Sequence, residues 1–278
     1  MEQIWQVARQ TGGWNLCLVG IAAGLLGCRA PTVSEPGPSP VLRVMTYNVH
    51  HGEGLDGRVD LERIAELIRR EEVDLVALQE VDRGVARTMR VDQPAELAAL
   101  TGMTAVFSNN FHYQGGEYGN AILSRWPVVA WSNRHYRMER PGEQRGLLEA
   151  RIDWQGRPLR FFSTHLDHRP DDVERLANVV EIQEEMRRDE DVPVVLAGDI
   201  NDYPGRPVHR GLKAFLADAW ERVGQGPGYT FPSRDPDRRI DYVWWAEGRG
   251  LEVVRAWVVS SEASDHLPLV VEFRWVGN

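Results

Sequence analysis

Val192 to Asn201 reads VPVVLAGDIN. Its apolar core, Val194 to Ala197, has the length and β-branched composition of a short buried strand. Gly198 ends that run, and Asp199 and Asn201 follow it at alternate positions. Upstream, Asp171 to Arg188 carries the apolar spacing of a long amphipathic helix, so a helix leads into a strand with polar residues at its end. The same pattern recurs along the chain. Asn48 closes VMTYN, Glu80 closes LVALQE and His165 closes FFSTH. Asp241 lies within RRIDYVWW, and Asp265 and His266 immediately precede LPLVVEF. A single carboxylate after a strand is usually a turn or cap residue. A whole set at strand ends is where a rigid scaffold presents chemistry.

Between these points, strands and helices alternate. Val41 to Val49 is β-rich, and Leu61 to Ile68 has apolar residues at helical spacing behind Asp60, a suitable N-cap. Asp74 to Gln79 reads as a short buried strand. Further strands are expected at 106–107, 121–123, 128–131, 147–152, 159–163, 240–245, 251–259 and 269–275. Many strands with few helices imply sheet packed on sheet, flanked by helices. No repeat of fixed period is present, and no second linker interrupts 41–278, which is expected to be one domain.

With 42% hydrophobic and 26% charged residues, the composition excludes a disordered chain, collagen and a coiled coil. The net charge of −9 argues against a protein that grips duplex nucleic acid through bulk charge. Lys213 is the only lysine; the many arginines fit either phosphate forks or a GC-rich genome. Cys17 and Cys28 are the only cysteines, so the body holds neither a disulfide framework nor a thiolate zinc site.

Leu16 to Gly27 is an apolar run shorter than the about 20 residues of a spanning helix, and it suits the core of a secretory signal. Leu25-Leu26-Gly27-Cys28 resembles a bacterial lipobox, with Leu26 where a small residue is usual. The expectation is a lipoprotein-type signal peptide over 1–27 and a lipidated Cys28. A Pro-rich tether then runs to residue 40, and the domain is exported and membrane-anchored on the periplasmic or cell-surface side. Losing Glu2 and Arg9 with the signal leaves the charge at −9.

The strand-end set has a specific chemistry. Asn48 and Glu80 offer hard oxygen ligands suited to Mg²⁺ or Mn²⁺. Asp199 can orient or deprotonate water while Asn201 donates to an oxyanion. His266 is a general base or acid whose tautomer Asp241 can fix, and His165 can donate to a non-bridging phosphate oxygen. Together they fit metal-assisted hydrolysis of a phosphate ester.

These residues fall in seven segments: TYN (46–48), LQE (78–80), GNAILSR (119–125), STHL (163–166), GDIN (198–201), IDY (240–242) and SDHLP (264–268). In content and order they resemble the endonuclease/exonuclease/phosphatase superfamily. That superfamily includes deoxyribonuclease I, AP endonucleases, inositol polyphosphate 5-phosphatases and neutral sphingomyelinases. The resemblance spans about 44–274. It implies a four-layer α/β sandwich with two central, mostly antiparallel β-sheets, and a divalent-metal phosphoesterase.

Residue by residue, it implies metal binding by Asn48 and Glu80, with Asp265 a further acid near the metal. Asp199 matches the carboxylate that positions water, Asn201 its transition-state-stabilising neighbour and His165 a phosphate-contacting histidine. Asp241 and His266 match the Asp–His pair, and Asp199 and His266 both stay in play as the formal base. Asn120 is expected to face the pocket. Tyr47 and Tyr242 are expected in the core, and His50, His51 and His168 in solvated turns; Asp167 reaches the site or caps the next turn.

Residues 82–103 and Gln144-Arg145-Gly146 resemble a branch of bacterial metal-dependent hydrolases, which carries no substrate with it. Arg83, Arg87, Arg90 and above all Arg145 are candidates to clamp phosphate. Trp131 to Arg145 interleaves aromatics with arginine, as a stacking surface or an amphipathic edge strand would. Three functions follow: a monomeric phosphodiesterase or phosphomonoesterase of small or lipid-linked esters, an extracytoplasmic nuclease on DNA or RNA, and a binding module that kept the fold. The acidic, tethered body favours the first over the second, and the intact polar set disfavours the third.

Overall fold

The computed structural model describes residues 40–277 except Glu190. The expected signal, the lipidated Cys28 and the tether before Pro40 lie outside the described residues. Two β–α–β units organise the fold. β1 (Val41–Asn48), α1 (Leu61–Arg70) and β2 (Leu75–Arg83) form the first, with β1 and β2 parallel. Asp60 caps α1, accepting from the Glu62 amide at 3.1 Å, and Leu61, Ile64, Ala65, Leu67 and Ile68 are buried. Burial of each large apolar side chain contributes about 1.5–3 kcal/mol. β7 (Arg157–His165), α3 (Val173–Met186) and β8 (Val194–Asp199) repeat the unit, again with a parallel pair.

Antiparallel strands extend each parallel pair into a six-stranded sheet. The first sheet runs β11 (Leu251–Val258), β12 (Leu269–Trp275), β1, β2, β4 (Gly116–Ser124), β3 (Thr104–Tyr113). The second runs β5 (Val128–His135), β6 (Gly146–Trp154), β7, β8, β10 (Asp241–Trp245), β9 (Ala217–Asp218). Successive residues of a strand face opposite ways, and this sorts the core into layers. Leu42, Val44, Leu75 and Ala77 meet Ala150, Phe161, Val195 and Ala197 between the sheets. Met45, Val76 and Leu78 pack outward on Ile64 and Ile68 of α1, and Phe162 and Leu196 on Val179 and Ile182 of α3. The result is helix, sheet, sheet, helix, as expected.

Three helices were not anticipated: α2 (Gln93–Thr101), α4 (Pro207–Lys213) and α5 (Ala219–Val223). They are short, and α2 lacks a clean apolar stripe. Its ends nonetheless carry start and stop residues, with Asp92 accepting from the Ala95 amide at 3.1 Å and Gly102 left-handed at φ 69°. The Trp131–Arg145 stretch is the edge strand β5 and its following loop; the Trp131 side chain faces solvent there.

Candidate active site

The alternation that builds the inter-sheet core also builds the site. Two residues beyond Val44 and Ala77 on the same strand faces come Thr46 and Gln79, and two beyond Phe161 comes Ser163. These form a polar tie across the sheets: Thr46 Oγ1 donates to Gln79 Oε1 at 3.3 Å and Gln79 Nε2 to Ser163 Oγ at 3.3 Å. One further step brings Asn48, His165 and Asp199 to the end of the layer. Register aligns them, because Asp199 pairs with His165 on one side and with Asp241 on the other. His165, Asp199 and Asp241 thus occupy one rung of the second sheet, all buried.

Across from them, regular pleating would send Glu80 to the opposite face from Gln79. The β2–β4 register breaks between Leu78 and Val81, and Glu80 takes φ 59°. This turns its carboxylate into the site, where Asn48 Nδ2 donates to Glu80 Oε1 at 2.9 Å and to Asp199 Oδ2 at 3.1 Å. Gly198 is fixed by crowding, since a Cβ there would lie 2.0 Å from the Thr164 carbonyl oxygen. Asn201 sits at φ 52°, a conformation asparagine tolerates, and its amide donates to Asp199 Oδ1 at 2.9 Å.

Arg145 acts differently from the expected phosphate clamp. It is buried, and its Nη1 donates to His165 Nδ1 at 2.8 Å, while Nη2 donates to His168 Nδ1 at 3.3 Å and pairs with Glu143 at 2.7 Å. A guanidinium only donates, so His165 accepts at Nδ1 and carries its proton on Nε2, to which the Asn201 side-chain amide 3.2 Å away must then present its oxygen. That Nε2 lies 3.5 Å from Asp199 Oδ2. Burial, reinforced by the Arg145 charge, holds the His165 imidazole well below its usual pKa and so neutral.

His266 Nδ1 lies 2.9 Å from Asp241 Oδ2, and its Nε2 3.8 Å from Asp199 Oδ2. Burial opposes a charge on His266, but Asp241, Asp199 and Asp265 outweigh it and raise its pKa. Burial first, then the neighbouring Asp241, raises Asp199 as well. Crowded carboxylates raise the pKa of both groups, while burial adds to the rise of Asp199 and opposes that of His266.

The same crowding is the test of fit for a metal. Asp199, Asp241 and His266 hold ligating atoms within 4.8 Å of one another, and Asp241 Oδ1 is buried without a hydrogen-bond partner. The Asn48 amide nitrogen bridges two carboxylates, and Glu80 and Asp265 line the same cleft. Hard oxygens with unbalanced charge suit a divalent cation. A cleft of about 630 Å³ opens over these groups, lined also by Tyr118, Phe111, His168, Tyr203 and Phe231.

Other expected residues sit elsewhere. Asn120 is buried beneath the cleft and donates to the Gly146 carbonyl at 3.3 Å. Tyr47 and Tyr242 are core residues, as expected. His168 lines the cleft, whereas His50 and His51 lie in the turn after β1, outside its lining. Asp167 is buried and pairs with Arg169 at 2.8 Å. Of the surface arginines, Arg87 lines the cleft, while Arg83 pairs with Glu117 and Arg90 reaches the Gly84 carbonyl. Phe231, whose ring lies 4.6 Å from that of His266, was missed. Its only sequence signal is nearness to IDY.

Comparison with known proteins agrees with this geometry. Residues 45–266 match the model of the Endonuclease/Exonuclease/phosphatase family. The chain is 28% identical over 246 residues to the uncharacterized protein YbhP of Escherichia coli (strain K12), covering 83% of this chain and 95% of that protein. An endonuclease/exonuclease/phosphatase from Beutenbergia cavernae DSM 12333 superposes with a TM-score of 0.72 at 30% identity, over 85% of this chain and 72% of that one. The mannosyl-6-phosphatase Bt3783 of Bacteroides thetaiotaomicron VPI-5482 shares the fold, with a TM-score of 0.70 at 19% identity over 84% of this chain and all of that one. Site, sheets and sequence agree: the chain belongs to the endonuclease/exonuclease/phosphatase family, hydrolases of phosphate esters that are typically metal-dependent.

Proposed function

We propose that the chain uses Mg²⁺ or Mn²⁺ to hydrolyse a small or lipid-linked phosphate ester by in-line attack of water. The observation that carries this is the rung of His165, Asp199 and Asp241 facing Asn48 and Glu80, with acidic charge left unbalanced at the floor of a cleft. Glu80 and Asp265 would hold the ion, with Asn48 joining through its side-chain oxygen, which accepts from the His50 amide at 3.1 Å. When bound, it polarises a phosphoryl oxygen and lets an anionic ester approach the carboxylates.

The chain's own groups supply the rest. Asp199 orients water and can take its proton, and Asn201 steadies Asp199 through its backbone amide. His165 presents an Nε2–H to a non-bridging oxygen. His266, aligned by Asp241, moves a proton between Nε2 and the reacting oxygens. The mannosyl-6-phosphatase of the same fold supports a small phosphorylated substrate, because the scaffold accommodates that class. Anchoring through Cys28, expected from the sequence, would bring the domain to lipid-linked esters.

Residues 29–278 are expected to hydrolyse an aryl phosphodiester with Mg²⁺ or Mn²⁺ and to lose that activity in EDTA. An undiminished rate in EDTA would sink the metal mechanism. Plasmid DNA, RNA, phosphatidylinositol and sphingomyelin compared side by side settle the substrate; faster turnover of DNA or RNA would replace the proposal with a nuclease.

A further inference from the structure

Six arginines line the catalytic cleft, in a chain of net charge −9: Arg87, Arg145, Arg169, Arg175, Arg206 and Arg238. Four are committed to the interior. Arg87 forks onto buried Asp82 at 2.8 and 2.9 Å, and Arg145 holds two imidazoles. Arg169 donates to buried Asp167 at 2.8 Å, and Arg175 to the carbonyls of Asp167 and Arg169 at 2.7 Å each. Turning these toward a ligand would strand buried acceptors, which is costly.

The remaining two are held differently. Arg206 reaches Asp202 and Asp172 only at 3.6 and 4.0 Å. Arg238 pairs with its exposed neighbour Asp237 at 2.9 Å, a contact of small worth in water. Both line the cleft together with Tyr203, whose carbonyl accepts from the Arg206 amide at 3.1 Å. Arg238 also sits 4.5 Å over the Phe231 ring, whose other neighbour is His266 at 4.6 Å. Arg238 thus stands about one aromatic ring from the catalytic imidazole, and Arg206 lines the same cleft from the loop that follows Asn201.

We propose that Arg206 and Arg238, which line the cleft with Tyr203, form a second anion subsite, and that the substrate is a phosphate ester carrying a further phosphate on its non-reacting side. The spacer joining the two phosphates would lie against the faces of Phe231 and Tyr203. A guanidinium forks onto phosphate oxygens, so the subsite selects by charge count and spacing. This inference rests on the phosphoesterase function of the cleft.

The test compares matched pairs in Mg²⁺: adenosine 3′,5′-bisphosphate against adenosine 5′-monophosphate, and fructose 1,6-bisphosphate against fructose 6-phosphate. Wild type is expected to favour the bisphosphate of at least one pair in kcat/KM by about tenfold per arginine, the worth of charge-assisted hydrogen bonds. Which pair shows it says whether the spacer is a nucleoside or a sugar. In the Arg206→Ala/Arg238→Ala variant that ratio is expected to fall toward one, mainly through KM, with Arg206→Lys retaining part of it. A wild-type ratio near one on both pairs, or a ratio that survives the double substitution, overturns the subsite. If wild type turns over none of the four, calorimetry with Ca²⁺ in place of Mg²⁺ still decides. Tighter bisphosphate binding that the double variant loses upholds the subsite while hydrolysis of these esters fails, and equal binding of both members of each pair rejects it.

Discussion

Among the described residues, two buried Asp–His groups take their carboxylates from neighbouring strands of the second sheet. One is His266 with Asp241 and Asp199; the other is His209 with Asp218. As local geometry they are near twins, with imidazole-to-carboxylate distances of 2.9 and 3.1 Å. Their surroundings differ. Asp218 also accepts from Arg239 at 2.7 Å and from the Trp220 amide at 2.9 Å, where it caps α5. His209 Nδ1 accepts from the Gly205 amide at 3.1 Å, and its ring packs against Tyr242 and Trp244. Every charge there has a counter-charge, and none of the pair faces the cleft. Even the second carboxylate near His209, Glu221 at 3.5 Å, is answered by Lys213 at 2.5 Å, whereas among the described residues no lysine or arginine pairs with Asp199 or Asp241 and Asp241 Oδ1 has no partner. A carboxylate–imidazole pair is therefore not a site by virtue of its geometry; the unbalanced charge and the open face make it one. The closed pair instead braces the loop after Asn201, since the Val208 and His209 amides donate to Asp202 in that loop.

The largest effect should come from neutralising the open group. Asp199→Asn is expected to lower kcat by about 10²-fold or more, as the loss of general catalysis does. Without metal, its thermal midpoint should equal or exceed that of wild type, because one of two crowded buried carboxylates is gone. A rate within a few-fold of wild type would remove Asp199 from the chemistry. The closed group should behave inversely. Arg239→Met leaves Asp218 without its only arginine partner and should cost about 3–5 kcal/mol of stability, or about 10 °C in midpoint at this domain size. Turnover of the folded fraction should stay within a few-fold. If Arg239→Met abolished turnover without lowering the midpoint, the two groups would not be distinct in kind.

Much of this was legible in the sequence for a physical reason. A strand buried on both faces reads as an apolar run, and a polar residue closing such a run has nowhere to point but the end of the core. Asn48, His165, Asp199 and Asp241 were visible on that ground. What depends on pairing between distant segments was not. Asn120 lies opposite Ser108, and a break in the β3–β4 register after Asn109 separates its neighbourhood from the hairpin turn. No local pattern announces that it bonds the Gly146 carbonyl rather than facing the cleft. Arg145 meets His165 across the β6–β7 pairing, so a residue that looked like a phosphate clamp proved to set a tautomer. His209 and Asp218 stand nine residues apart with no local pattern to join them, and only α4 and β9 bring them together.

The smallest expected effect sharpens the comparison through pH. Burial alone would raise the Asp218 carboxyl, but the hydrogen bond from His209 and the Arg239 charge outweigh it and hold its pKa below the usual carboxylate range. A depressed folded-state pKa contributes stability that is fully present above the unfolded value, about 3.9, and is lost as pH falls through the folded value. In Arg239→Met the Arg239 part of that depression is removed while burial and the His209 hydrogen bond remain, so Asp218 contributes less in this direction. The stability gap between wild type and variant should therefore be widest at pH 6–7 and shrink as pH drops below about 4. Urea unfolding of both chains at pH 7, 5 and 3.5 reads the gap directly. A gap that held constant across that range would mean Arg239 acts through packing on Tyr242, over whose ring it lies at 4.6 Å, and the closed group would owe its stability to shape instead of charge.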